Sequence, residues 1–90
     1  MIRRRIVFHG QVQGVGFRYR AAKAAEAFGC TGWVRNDWNG TVTMEIQGSA
    51  GAIDQVILAI ERGRFIRISN MENEQIQADL DERGFRETWD

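Results

Sequence analysis

The spacing of apolar residues in this chain switches repeatedly between strand-type alternation and helix-type recurrence. That switching restricts it to a mixed helix and sheet architecture. "RRIVFHGQV", Arg4 to Val12, carries β-branched residues with no turn signal before Gly10 and predicts a first strand. Phe17, Ala21, Ala24, Ala25 and Phe28 then recur on one helical face, with Arg18, Arg20, Lys23 and Glu26 largely outside it. Gly29 stands where a glycine ends a helix. "CTGWVRN" and "TVTMEIQ" are separated by "DWNG", and Asn39-Gly40 predicts a type I′ hairpin turn between two strands. In the second arm Val42, Met44 and Ile46 alternate with polar residues, so one face is buried. Ile53, Val56, Ile57 and Ile60 repeat at helical spacing, with Ser49 as the N-cap and Gly63 as a stop. "FIRISNMENEQIQ" predicts a fourth strand whose alternation slips near Asn70, and "GFRETW" a short fifth strand at the edge.

The resulting order is β-α-β-β-α-β with a possible last strand. Two helices on one face of a mainly antiparallel sheet make an α+β, ferredoxin-like two-layer sandwich. With ninety residues and 43% hydrophobic content, residues 1–90 are expected to form one domain with a buried core. The lone cysteine, Cys30, forms no internal disulfide, sits at a strand start and reads as buried and inert. A reduced, cytoplasmic setting follows as the expectation. "MIRRRIVF" is basic, but no apolar run of signal-peptide length follows it, and no stretch approaches a membrane span. Fold class says nothing yet about chemistry.

The chemistry concentrates in "GQVQGVGFR", Gly10 to Arg18. A strand, a glycine loop and a helix start together place free backbone N–H groups around an anion. Gly14 and Gly16 let the backbone curl into a nest, and Arg18 can add a planar fork of donors. Known phosphate and RNA motifs fit poorly. A G-x-G-x-x-G fingerprint starting at Gly14 needs glycine where Tyr19 stands, and a Walker loop needs a Gly-Lys-Ser/Thr that is absent. An RNP1 pattern laid on "QGVGFRYR" lacks its stacking aromatics, which argues against RNA. On spacing alone, a tight turn before a packed helix is the better explanation of the glycine pair. Charge favours an anion: residues 1–45 hold seven basic and three acidic residues, a net of +4, and residues 46–90 net −4. Eleven of the twelve basic residues are arginine, so arginine at any one position carries little weight.

The run "GQVQGVGFR", followed by "GWVRNDWNGTV" and "IQG", resembles the acylphosphatase family from Val7 to Gly48. The C-terminal third departs from it: "RGRFIRIS" stands where members often carry Gly-Pro, and this chain has no proline. The resemblance implies a metal-independent hydrolase that splits the carboxyl–phosphate bond of small acyl phosphates into carboxylate and inorganic phosphate. It assigns phosphoryl binding to Arg18 and positioning of the attacking water to Asn36. Backbone donors from Gln13, Gly14, Val15, Gly16 and Phe17 complete the site, with Val15, Gly16 and Phe17 foremost. No cofactor, nucleic acid or membrane partner is implied, and the family suggests a monomer. A non-catalytic anion-binding module using the same cradle is the alternative. His9 reads as a locally satisfied strand residue rather than a base; Arg35, Asp37 and Asn39 read as surface and turn residues. Trp33, Trp38 and Trp89 read as packing or rim groups, with Trp38 a candidate border of the acyl side.

Overall fold

The computed structural model describes residues 1–89. Its elements run β1 (Ile2–Gln11), α1 (Phe17–Ala27), β2 (Thr31–Asn36), β3 (Val42–Gly48), α2 (Ala50–Glu61), β4 (Arg67–Ile76) and β5 (Phe85–Thr88). The strands form one five-stranded sheet in the order β4-β1-β3-β2-β5. The first four pair antiparallel, and β5 runs parallel to β2 at the edge. Alternation decides which face is dry. Ile6, Phe8, Val34, Val42, Met44 and Ile46 are buried with Ala21, Ala24 and Ala25 of α1 and Ile53, Val56 and Ile60 of α2. The opposite sheet face carries charge. Arg3, 4% exposed, pairs with Glu82 at 2.7 Å and Glu45 at 3.0 Å, and Arg5 also reaches Glu45 at 3.0 Å. The Glu82 hydrogen bond, aided by Glu45, raises the Arg3 guanidinium above its usual value against the cost of burial. The N-terminal basic cluster is therefore partly neutralised, and the basic excess of the first half is not all available to an anion.

Local signals explain the ends of the helices. The Ser49 side chain caps α2 by accepting from the Ala52 N–H at 3.1 Å. Helix α1 ends in a Schellman motif: Cys30 N–H donates to the Ala25 carbonyl and Gly29 N–H to that of Glu26. Phe28 departs from the expected apolar face. It is the C-cap residue, no longer helical, and it is 45% exposed. The slip in the fourth strand is a real register shift, because His9 pairs Asn70 while Gly10 pairs Ile68, leaving Ser69 as the extra residue.

The β2–β3 turn also differs from expectation. Gly40 alone takes positive φ, 95°, while Asn39 does not, so the turn is not type I′. Gly40 N–H closes it onto the Asp37 carbonyl at 3.2 Å, and Asn39 uses its side chain to accept from the Thr41 N–H. Side-chain acceptors replace the left-handed backbone that the dipeptide had suggested.

Gly32 shows where the sheet tolerates no side chain. Its φ is 144°, and a Cβ there would drive into the Glu45 backbone carbonyl of β3. Gly32→Ala is expected to destabilise the protein by roughly 3 kcal/mol, from strained backbone plus strand separation. A urea midpoint within error of wild type would contradict this.

Candidate active site

Two buried apolar residues pin the glycine loop at its ends. Val12 is 1% exposed and Phe17 2%, with the Phe17 ring set edge-on to Phe8 at a centroid distance of 4.9 Å. Between these anchors Gly14 and Gly16 take φ of 72° and 81°, and a Cβ on either would meet nothing within 4 Å. Backbone conformation, not crowding, therefore demands glycine. Gly16 is the N-cap of α1 and offers no side-chain cap, and the Arg20 N–H is the one that returns to its carbonyl, at 3.0 Å. The preceding N–H groups of the first turn point out of the helix, where the helix dipole favours negative charge.

The loop curls beside the end of β2. A cavity of about 150 Å³ is lined by Val12, Gly14, Gly16, Phe17, Arg18, Tyr19, Asn36 and Glu87. Of the expected site residues, Gly14, Gly16, Phe17, Arg18 and Asn36 meet there. Val15 packs partly against the core and lines the neighbouring groove instead. Gln13 serves through its side chain. Its amide donates to the carbonyls of Asp37 at 2.6 Å and Thr41 at 2.9 Å, lashing the glycine loop to the β2–β3 hairpin. The cavity is smaller than the roughly 300–1,000 Å³ that drug-sized ligands need, and suits a phosphoryl-sized anion.

The hairpin side of this lashing is organised by Asp37, which reads from the sequence as a surface or turn residue. Its carboxylate accepts from Thr43 at 2.7 Å, Thr41 at 2.8 Å and the Arg35 Nε at 3.0 Å. Burial pushes the Asp37 carboxyl up, but these hydrogen bonds and the Arg35 charge outweigh it and hold it below its ordinary value. A depressed carboxyl stabilises the fold above the unfolded pKa of about 3.9 and loses that stabilisation as pH falls through the lower folded value. Asp37→Asn is therefore expected to cost about 1–2 kcal/mol at neutral pH, with the difference fading as pH falls below the unfolded value of about 3.9. Thermal melts of both proteins across that range check it, and a difference independent of pH would contradict it.

The C-terminal strand brings further groups to the site, of which Trp89 reads from the sequence only as a packing or rim residue. Glu87 of β5 lines the cavity. Beyond it, the Trp89 indole lies beneath the Arg18 guanidinium at 3.7 Å, and Arg18 Nη1 donates to the Thr88 carbonyl at 3.5 Å. The only sequence signal for this was the fifth strand itself, since its parallel pairing with β2 carries residues 85–88 alongside Gly32 to Arg35. Trp38 is absent from this cavity. It is 99% exposed and lines a separate groove of about 500 Å³ with Val7, Arg35 and Asp37, which also touches Asn36. His9 is tied to Glu72 at 2.6 Å and does not line the Arg18 cavity. Burial raises the Cys30 thiol above its ordinary value, as befits an unreactive core group. Among the described residues no group of three or more His, Cys, Asp or Glu side chains could hold a metal ion.

Comparison with known proteins gives this geometry a family. Residues 4–87 match the sequence profile of the family described as Acylphosphatase. The chain belongs to the acylphosphatase family. An acylphosphatase of Geobacillus thermodenitrificans is 42% identical over 87 residues, covering 96% of this chain and 93% of that one. Two solved structures share the fold. The acylphosphatase from Bacillus subtilis superposes with a TM-score of 0.89 at 28% identity, covering 98% of this chain and 99% of that one. That from Coxiella burnetii gives 0.86 at 31% identity, covering 97% and 92%. The family match runs through the C-terminal third, where the sequence motifs had faded, so the missing Gly-Pro is a local variation within an acylphosphatase chain.

Proposed function

We propose that this acylphosphatase hydrolyses the carboxyl–phosphate bond of small acyl phosphates. Arg18 and the N–H groups between Gln13 and Phe17 hold the phosphoryl group, and Asn36 aims the attacking water. The observation that carries the reading is the shared cavity. The uncapped first turn of α1, the Arg18 fork and the Asn36 amide line one phosphate-sized space. A carboxylate is a good leaving group, so the site need only position water and stabilise charge on the transferring phosphoryl. Loop N–H dipoles and the guanidinium supply that stabilisation. Asn36 has both an acceptor and donors on its side chain, so it can orient a water lone pair toward phosphorus. The attacking water loses its proton to a phosphoryl oxygen, and the acyl oxygen leaves with the bonding pair as carboxylate.

A cavity that grips only the phosphoryl end favours breadth in the acyl group. The protein works as a cytoplasmic monomer built from one domain, a setting consistent with a single buried thiol. No helix among the described residues is long and apolar enough to cross a membrane. The test is release of phosphate from benzoyl phosphate with EDTA present. Turnover well above the uncatalysed rate supports the proposal. A folded protein that binds phosphate without turning over would be the anion-binding module instead.

A further inference from the structure

The glycine loop has two flanks, and the strand order tells them apart. β2 and β4 lie on opposite sides of β1 in the sheet. Their site-proximal ends share one edge with the end of β1: Asn36 and Phe8 both pair with Val42, and Gln11 pairs with Arg67. Asn36 therefore approaches the loop from the β2 side and Arg67 from the β4 side. On the β4 side lies a groove of about 400 Å³ lined by Gln11, Gly14, Val15, Arg64, Phe65 and Arg67. Gly14 lines both this groove and the phosphoryl cavity, so the loop backbone is their common wall.

This groove is positively charged. It contains two guanidinium groups and no carboxylate. Arg67 commits Nη1 to the carbonyls of Ile66 at 2.9 Å and Arg64 at 3.2 Å, leaving Nε and Nη2 without a protein acceptor among the described residues. The Arg64 guanidinium sits 5.4 Å from the centroid of the exposed Phe65 ring and has no carboxylate partner among the described residues. These arginines stand apart in a half of the chain that carries a net charge of −4.

In-line displacement fixes what passes over that groove. The water oxygen bonds to phosphorus as the bond from phosphorus to the acyl oxygen breaks, and the two oxygens occupy opposite faces of the phosphoryl group. With water aimed from the Asn36 flank, the acyl group lies toward the β4 flank. We infer that this groove receives the acyl portion of the substrate and, within that breadth, gives a preference to acyl phosphates whose acyl group bears a second carboxylate. Arg64 and Arg67 pair with that carboxylate, while Val15 and Phe65 support the carbon skeleton. The inference rests on the hydrolase reading above.

Benzoyl phosphate and 4-carboxybenzoyl phosphate are the probes, and the readout is the ratio of their kcat/KM values. Intrinsic differences between the two leaving groups cancel when wild type is compared with a variant. In Arg64→Gln/Arg67→Gln the preference for the carboxylated substrate is expected to fall roughly fivefold, the scale of two exposed charge pairs, through KM. Arg64→Lys/Arg67→Lys is expected to recover part of it, which a packing effect would not. A ratio unchanged from wild type, with benzoyl phosphate still hydrolysed, overturns the inference alone. A wild type inert toward both substrates overturns the hydrolase reading and the inference with it.

Discussion

Arg18→Lys is expected to lower kcat/KM for benzoyl phosphate about 10³-fold, the scale reported by removal of transition-state donors in comparable sites. Lysine keeps the charge but not the geometry. A guanidinium can lie flat on the Trp89 indole at 3.7 Å and still present edge N–H groups to the cavity. An ammonium offers a single point of attachment and no plane to stack, so the fork that matches two phosphoryl oxygens is lost. The loss should appear chiefly in kcat, because charge spreads over the equatorial oxygens as the bond to the acyl oxygen breaks. Unfolding should be little affected, since Arg18, half-buried near the start of α1, takes no part in the core. Turnover by Arg18→Lys within a few-fold of wild type would remove the clamp role from this residue.

The parts of this site that were legible in the sequence are those built from neighbours in the chain. Gly14, Gly16 and Arg18 fall within a single loop and helix start, and backbone physics makes a glycine loop at a helix N-terminus readable. Ser49 as a cap and Gly29 as a terminator are local in the same way. The failures involve residues whose partners lie elsewhere. Asp37 looked like a turn residue because its role depends on Thr43 across the hairpin and on the Gln13 amide, 24 residues away. The pairing of Arg3 was not legible because Glu45 and Glu82 lie 42 and 79 positions along the chain.

Phe28 and Trp38 show a different limit. Periodicity placed Phe28 on the buried face, yet a helix that stops at Ala27 rotates the next residue out toward solvent. A one-residue difference in where the helix ends decided its exposure. Trp38, next but one to Asn36 in the chain, lies outside the Arg18 cavity and lines the separate groove that Asn36 also borders. The C-terminal strand was visible as a short segment. That it would run parallel beside β2 and bring Glu87 and Trp89 to Arg18 could not be read from that segment, because a four-residue strand can join either edge.

Asn36→Ala is the substitution that separates chemistry from binding. It is expected to reduce kcat about 10²- to 10³-fold, because an unaimed water loses the positional advantage of a held nucleophile. The affinity for inorganic phosphate should change by less than about threefold, since removing this amide leaves the loop N–H groups and Arg18 in place. The fold should persist as well. The Asn36 backbone stays in register with Val42, and the hairpin is held from Asp37, whose bonds run to Thr41, Thr43 and Gln13 rather than to Asn36. Single-turnover hydrolysis of benzoyl phosphate, paired with phosphate titration of the same preparation, reads both quantities. If turnover and phosphate affinity collapse together, Asn36 holds the anion and another group must orient the water. If neither changes, the amide faces the cavity without acting in it. Loss of turnover with phosphate binding intact leaves water positioning as the account that fits.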